Sequence, residues 1–390
     1  MKILTFTGEK YYKSKDGEYY SDSDSYKFID NTYGVDNVKI IAGIKLANIS
    51  SNKEKINKDR VSYEIPFFKN NLEVLLYILN PFKYFKLMSI FNRIIQDNKN
   101  TIFWVRNPAL ISILFSKCLM KKNRKFISHF CADVHGISKS KYKGILKYIS
   151  LFIEKLILKQ MSIINNYDKA LVFSTGAVLC ERYSSSTHLI DLVLPKDLDK
   201  LKPKTNNNNG HDYFLYVGRI QKDKGIFDLL EAFKYINNNI KKLLIAGDGP
   251  DVDKLKSFII DNSLDEKVMF LGRLNKKELS NYYTNCFAVI IPSNNSYEGF
   301  PRVILEAWNH NKPVIVTKLP GIMTLAKNEK NCLFIDNIKP KTILTALEHI
   351  QNINLYTLLL TNIINDHQIT EPSYWQNIAS NKTYDFFKKD

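Results

Sequence analysis

Nine consecutive residues, Glu298-Gly299-Phe300-Pro301-Arg302-Val303-Ile304-Leu305-Glu306, carry the densest set of chemically useful groups in the chain. They follow an apolar strand pattern at Ala288–Pro292 and a polar loop, and they open a helix. Pro301 suits the first helical turn, where a missing N–H costs nothing. Gly299 lets the backbone approach a ligand closely. The free N–H groups of that turn, aided by the helix dipole, form an anion site. Glu306 lies eight residues after Glu298, roughly 12 Å along a helix at 1.5 Å per residue. Paired glycosidase carboxyls stand closer, at about 5–5.5 Å or 6.5–9.5 Å. A nucleotide-sugar fits better. One carboxylate would accept from hydroxyls of the transferred sugar, the other from the ribose diol, with the diphosphate at the helix start. Two solvated helix carboxylates are the plain alternative.

A second group of residues, Tyr216-Val217-Gly218-Arg219-Ile220-Gln221-Lys222-Asp223-Lys224-Gly225, reads as strand, loop and helix. Arg219 can fork two phosphate oxygens and Lys224 can add a point charge to the same group. Together they would neutralise a departing diphosphate without a metal. A third, Asp133-Val134-His135-Gly136, follows the strand ending near Phe130. There Asp133 would orient His135, and Gly136 would give the loop a sharp turn.

Other patterns are weaker. Asp22-Ser23-Asp24, Asp197-Leu198-Asp199 and Asp251-Val252-Asp253 match the Asp-x-Asp spacing that holds Mg²⁺ or Mn²⁺ with phosphates. None follows a convincing strand, and the third opens a helix, where acids suit the dipole. No metal or other cofactor is therefore expected. Gly247-Asp248-Gly249-Pro250 is a turn without the Gly-Lys-Ser/Thr ending of a Walker loop. Cys118, Cys131, Cys180, Cys286 and Cys332 are scattered and never in a C-x-x-C pair, as expected of buried thiols in a reducing cytoplasm.

The net charge of +17 is unevenly placed. Residues 1–200 hold 32 basic against 19 acidic groups, and residues 201–390 hold 24 against 20. Between Lys117 and Lys159, 11 basic residues face only Asp133 and Glu154. Nucleic acid is not the expected partner, because no zinc-finger spacing, RNP signature or Gly-x-x-Gly loop is present. Interleaving such as Lys141-Tyr142-Lys143-Gly144-Ile145-Leu146-Lys147 suits either an interfacial helix on anionic lipid or ordinary helix packing. No apolar run is long enough to span a bilayer, and the N-terminus reads as a strand, so the expected location is cytoplasmic, peripheral on the inner face of the cell membrane.

The elements that must position these groups alternate between apolar strands and helices, which implies parallel α/β sheets. The first-half strands are expected at Lys2–Phe6, Val38–Ala42, Thr101–Val105, Lys125–Phe130 and Ala170–Ser174. Gly8–Asp24, rich in Tyr, Lys, Ser and Asp, reads as a long polar loop. Leu72–Ile95 is apolar and broken at Asn80-Pro81, so it reads as two helical pieces or an apolar excursion. Asn206–Gly210 marks a linker. After it, strands are expected at Tyr213–Val217, Lys242–Ala246, Val268–Leu271, Ala288–Pro292, Pro313–Thr317 and Cys332–Ile335. The expected division is 1–200, a linker at 201–211, 212–365, and a helical segment at 366–390. A ligand cleft is expected between two doubly wound domains, at the carboxyl ends of the strands.

From Tyr213 to Asp336 the motifs fall in an order that resembles retaining GT-B enzymes of glycosyltransferase family four, or group one. Val217-Gly218-Arg219 with Lys224-Gly225 comes first, then Ala246-Gly247-Asp248-Gly249-Pro250 and Phe270-Leu271-Gly272-Arg273. Glu298–Glu306, Pro313–Thr317 and Pro320-Gly321 complete it. The resemblance implies two Rossmann-like domains and a UDP- or GDP-sugar donor. It puts Arg219 and Lys224 on the diphosphate, Glu306 on the ribose, and backbone near Arg273 on the base. Glu298 and the backbone of Gly299, Phe300 and Pro301 would hold the donor sugar, with His135 beside it. It implies front-face attack with no protein nucleophile. The usual glycine pair after the first strand is represented only by Gly8, so the acceptor side is specialised. The closest analogy is to bacterial enzymes that build surface polysaccharide such as O-antigen or capsule on a polyprenyl-diphosphate carrier. An epimerase or phosphorylase of similar fold, or a non-catalytic nucleotide-sugar-binding partner, is the alternative.

Overall fold

The computed structural model describes all residues except 22–24, 48–53, 136–143, 192–212, 238–239, 295–299 and 389–390. The chain forms two compact units, Met1–Val193 with Trp375–Asp390, and Leu194–Tyr374.

The first unit is built on strands β1 (Ile3–Phe6), β2 (Lys10–Lys13), β3 (Tyr19–Ser21), β4 (Val38–Leu46), β5 (Glu54–Ile56), β6 (Val61–Pro66), β7 (Ile102–Asn107), β8 (Phe126–Phe130), β9 (Ala170–Ser174) and β10 (Thr187–His188). Its parallel part runs β6-β4-β1-β7-β8-β9-β10. Strand alternation sends side chains to opposite faces. On β7, Phe103 and Val105 enter a core completed by helices Asn71–Leu79, Pro81–Asp97, Leu110–Lys121 and Gly144–Asn165. Trp104, between them, points the other way, stacking on Phe173 and meeting Phe28 and Tyr33 of helix Ser25–Tyr33. The C-terminal helix Pro372–Lys388 belongs to this unit: Tyr33 shares a hydrogen bond with Thr383 at 2.7 Å, and Trp375 meets His188 edge-on. The sequence alone set this segment apart without a destination.

The segment after β1 is not the polar loop expected for 8–24. β2 pairs parallel with the far end of β4, from Lys10↔Gly43 to Lys13↔Leu46, and turns back antiparallel into β3, which pairs with β5. Gly17, at φ +81°, makes the turn, a backbone region that glycine enters without steric cost. Tyr11 and Tyr19 are buried with Tyr26, Ile40, Ala42 and Ile56 in a small core of their own. Of the polar residues that suggested a loop, Ser21 is buried on the Tyr11 and Tyr19 face, and Lys10 is exposed. The Leu72–Ile95 stretch is two helices meeting at 109°.

The second unit has strands β11 (Tyr213–Val217), β12 (Lys242–Ala246), β13 (Val268–Gly272), β14 (Ala288–Ile291), β15 (Val314–Thr317) and β16 (Leu333–Ile335). They pair in the order β13-β12-β11-β14-β15-β16, all parallel. β14 and β15 are buried at every position, as befits strands covered on both faces.

Candidate functional site

In the second unit, Val217, Gly218 and Arg219 leave β11 and line a cavity of about 420 Å³ with Ala246, Gly247, Asp248, Gly249, Arg273, Leu274 and Leu279. Ligand pockets generally fall at about 300–1,000 Å³. The cavity lies at the carboxyl ends of β11, β12 and β13, where open α/β sheets bind ligands. Glycine is required at its floor. A Cβ on Gly247 would stand 1.9 Å from the Gly218 carbonyl oxygen, and one on Gly249 2.2 Å from that of Ile220. The contact is stitched by backbone bonds, Gly218 N–H to Ala246 O (3.1 Å), Ile220 N–H to Asp248 O (2.9 Å) and Gly247 N–H to Gly272 O (2.8 Å). Arg219 is exposed at the rim, and its carbonyl accepts from the Tyr216 hydroxyl at 3.0 Å.

Lys224 ends a 3₁₀ turn, Lys222–Lys224, closed by Gly225 at φ +68°. A Cβ on Gly225 would lie 1.7 Å from the Pro292 carbonyl oxygen, and the Asn294 N–H donates to Asp223 O at 2.9 Å. The turn is thereby pinned to the segment that leaves β14. Asp251 accepts from the Lys222 N–H at 3.1 Å and pairs with Lys254 at 2.8 Å. Its carboxylate is thus part of the turn. The other two Asp-x-Asp segments lie outside the described residues, among which no group of three or more metal-ligating side chains occurs.

Glu298 and Gly299 lie outside the described residues. Phe300 is buried against Trp308, with ring centroids 6.2 Å apart. Pro301 is the residue preceding helix Arg302–Asn309, at φ −65° and ψ 120°, one position earlier than the first helical turn expected from the sequence. Glu306 projects from that helix, and its Oε2 accepts from the Tyr283 hydroxyl at 2.9 Å.

Tyr283 was not visible as a site residue in the sequence. Burial, then the Glu306 carboxylate, holds its hydroxyl well above the usual phenol range, so it stays a donor. Its ring stacks on His310 at 5.1 Å. His310 Nδ1 donates to the Glu306 carbonyl oxygen at 2.7 Å, and burial keeps the imidazole neutral, so Nε2 accepts from Ser280 Oγ at 2.9 Å. Tyr283 thus fixes the Glu306 carboxylate, and His310, bonded to Ser280 on the same helix as Tyr283, fixes the turn that carries it.

At the carboxyl edge of the first unit's sheet, Gly8 follows β1 at φ +67°, with room for little more beside Ala109. Arg106 at the end of β7 bridges Glu9 (3.0 Å) and Asp191 (2.9 Å), a partly buried charge network with no contiguous sequence signal. His135 is exposed. The bond from Asp133 is to the main chain: Oδ1 accepts from the His135 N–H at 2.9 Å and from the Arg182 guanidinium. Gly136 lies outside the described residues.

These two parallel α/β units, one of them with a glycine-floored cavity rimmed by Arg219 and Arg273, define a GT-B fold. The fold is shared over the full length by HepE of Anabaena in complex with UDP (TM-score 0.66, 14% identity, 100% of both chains). Sucrose-phosphate synthase of Thermosynechococcus elongatus is similar (0.67, 16% identity, 100% of this chain and 99% of that one). Residues 197–355, within the second unit, match the model described as "Glycosyl transferases group 1". Among curated relatives, the uncharacterized glycosyltransferase MJ1607 of Methanocaldococcus jannaschii is 32% identical over 42% of each chain. The capsular polysaccharide biosynthesis glycosyltransferase CapM of Staphylococcus aureus is 30% identical over 64% of this chain and 60% of that one. The UDP-Gal:alpha-D-GlcNAc-diphosphoundecaprenol alpha-1,3-galactosyltransferase of Escherichia coli is 25% identical over 60% of this chain and 62% of that one. The matches to these three thus span 42–62% of the relatives' own lengths.

Proposed function

We propose that the chain transfers a sugar from a nucleotide-diphosphate-sugar to an acceptor glycan, with retention of configuration and without a metal ion, as an enzyme of glycosyltransferase family four. The observation that carries this reading is the cavity bounded by Gly218, Arg219, Gly247–Gly249 and Arg273, with the Lys222–Lys224 turn fixed beside the end of β14. In this reading Arg219 and Lys224 take the diphosphate, and their charge stabilises it as it departs. Glu306, held by Tyr283, takes the ribose hydroxyls. Backbone near Arg273 takes the base. Glu298 and the Gly299–Pro301 backbone take the sugar, and His135 assists the transfer. The leaving phosphate oxygen removes the acceptor hydroxyl proton on the same face.

The UDP bound to HepE and the UDP-galactose named for the Escherichia coli relative favour a UDP-sugar over a GDP-sugar. The diphosphoundecaprenol in that relative's name and the capsule in CapM's favour a lipid-linked acceptor in surface polysaccharide assembly, at the inner face of the cell membrane. Incubating the protein with isotopically labelled UDP-sugars and a polyprenyl-diphosphate glycan, with EDTA or with Mg²⁺, tests this. Labelled product of unchanged anomeric configuration is expected in both. Arg219→Ala and Lys224→Ala should each lower transfer roughly ten- to a hundredfold, the worth of one charge-assisted bond. Activity lost in EDTA and restored by Mg²⁺ would refute metal independence. Donor conversion without acceptor, or binding without turnover, would refute the transferase reading.

A further inference from the structure

The bend between helices Asn71–Leu79 and Pro81–Asp97 leaves four large apolar side chains in water: Leu76 (60% exposed), Leu79 (67%), Phe82 (87%) and Phe85 (69%). Single exposed apolar residues are ordinary, whereas a concentration of them marks a contact surface. Packing inside the unit does not use them, because Val74, Leu87, Phe91, Ile94 and Ile95 already supply the inner faces of both helices. Nor is the corner frayed. The Asn80 N–H closes the first helix on the Tyr77 carbonyl, and its side chain caps the second by accepting from the Lys83 N–H at 3.1 Å.

The charges around the corner select its partner. Lys69, Lys83 and Lys86 are exposed there against Glu73, while Arg93, further along the second helix, pairs with Asp97 at 3.7 Å. The Lys83 ammonium lies 5.5 Å from the Tyr77 ring, which keeps it at the bend. An apolar tip rimmed by cations complements an anionic lipid surface: the rings enter the headgroup–acyl boundary and the ammonium groups meet the phosphates. The basic stretch that the sequence favoured, Lys139–Lys159, is a weaker candidate. Its residues 139–143 lie outside the described residues. Helix Gly144–Asn165 spends Ile153, Ile157, Met161 and Ile164 on the core and exposes Tyr148 and Phe152.

We propose that the Leu76–Lys86 corner docks the protein on anionic lipid, with Phe82 and Phe85 as the inserted side chains. This holds whether or not the chain is a transferase. The test is flotation of the full chain with phosphatidylcholine vesicles, with and without phosphatidylglycerol, at low and high salt. Binding is expected only to the anionic vesicles and should weaken with salt. Phe82→Ser/Phe85→Ser should lower partitioning roughly a hundredfold, the worth of two phenyl rings returned to water. Lys83→Glu/Lys86→Glu should lower it at least about thirtyfold and flatten the salt dependence. Tyr148→Ser/Phe152→Ser should leave it unchanged. Circular dichroism and melting curves establish that each variant is folded. Three results would overturn the proposal: equal recovery on both vesicles or none at low salt, loss confined to the Tyr148/Phe152 variant, or a dimer in light scattering that Phe82→Ser/Phe85→Ser splits without any lipid binding.

Discussion

Replacing Tyr283 with Phe removes one oxygen and keeps the ring on His310, so it isolates the hydrogen bond to Glu306. That bond is 2.9 Å long and its donor is fully buried, whereas Glu306 is only half-buried. A hydrogen bond to a charged group contributes on the order of 1.5–3 kcal/mol. Water can reach the released carboxylate, so the lower end applies to folding, and a stability loss of about 1–1.5 kcal/mol is expected. The effect on the donor should be separable. If Glu306 holds the ribose, which does not react, it binds ground state and transition state alike. Losing its orientation should then raise the donor KM about tenfold, equivalent to about 1.4 kcal/mol, and leave kcat near its original value. Steady-state rates at varied donor concentration measure this, alongside Glu306→Gln and the double variant. Coupling between the two positions should make the double variant no worse than Glu306→Gln alone. Should Tyr283→Phe leave KM in place while Glu306→Gln raises it, Tyr283 does not position the carboxylate. Should Glu306→Gln lower kcat with KM unchanged, the ribose role itself is wrong.

Further outcomes follow from the backbone and the buried imidazoles. Gly225→Ala should cost about 2–4 kcal/mol in a denaturant melt, since its Cβ would meet the Pro292 carbonyl oxygen at 1.7 Å in a left-handed backbone. It should also weaken binding of UDP measured by calorimetry, by displacing Lys224; unchanged affinity in a folded variant would detach that turn from the site. His129, buried with Thr175, is lowered to about 4 by burial. The unfolded chain takes up that proton below about pH 6.5 and the folded one does not, so its stability is full above that value and drains as pH falls toward 4. The loss is up to about 3 kcal/mol; His129→Gln should flatten the pH dependence of the melting temperature, and an unaltered slope would assign acid sensitivity to other groups.

The second unit's fold is readable in one dimension because its strands are buried on both faces. Such strands become short unbroken apolar runs such as Ala288–Ile291 and Val314–Thr317. Its candidate ligand groups are readable for a related reason. Gly218, Arg219, Lys224 and Glu306 sit in or just after strand–loop–helix junctions, so chemistry and fold share one contiguous segment. Tyr283, Ser280 and His310 have no such signature. Their role arises only when two helices that are distant in sequence are packed side by side.

The hairpin at Lys10–Ser21 failed for a different reason, since its signal is present in the sequence. Asp16-Gly17 stands between two Tyr-rich runs, Lys10–Lys13 and Tyr19–Ser21, the pattern of a short antiparallel turn. Its lysines, serines and acids suit a strand with one solvated face as well as they suit a loop, and only pairing with β4 and the burial of Tyr11 and Tyr19 separate the two. The polar composition is what a strand requires when one face is packed and the other meets solvent or ligand. In this hairpin Lys13 both bonds Glu64 at 2.8 Å and stands 5.2 Å from the Tyr19 ring, and the Tyr19 hydroxyl donates to the same Glu64. The same dependence holds at Glu9, which bonds Arg106 across 97 positions of sequence. Donor-side chemistry can be carried by local backbone geometry, so it survives reduction to a string of letters. The first unit's polar edge is assembled from residues that meet only after the sheet forms, so the sequence shows which groups are available there but not which of them act together.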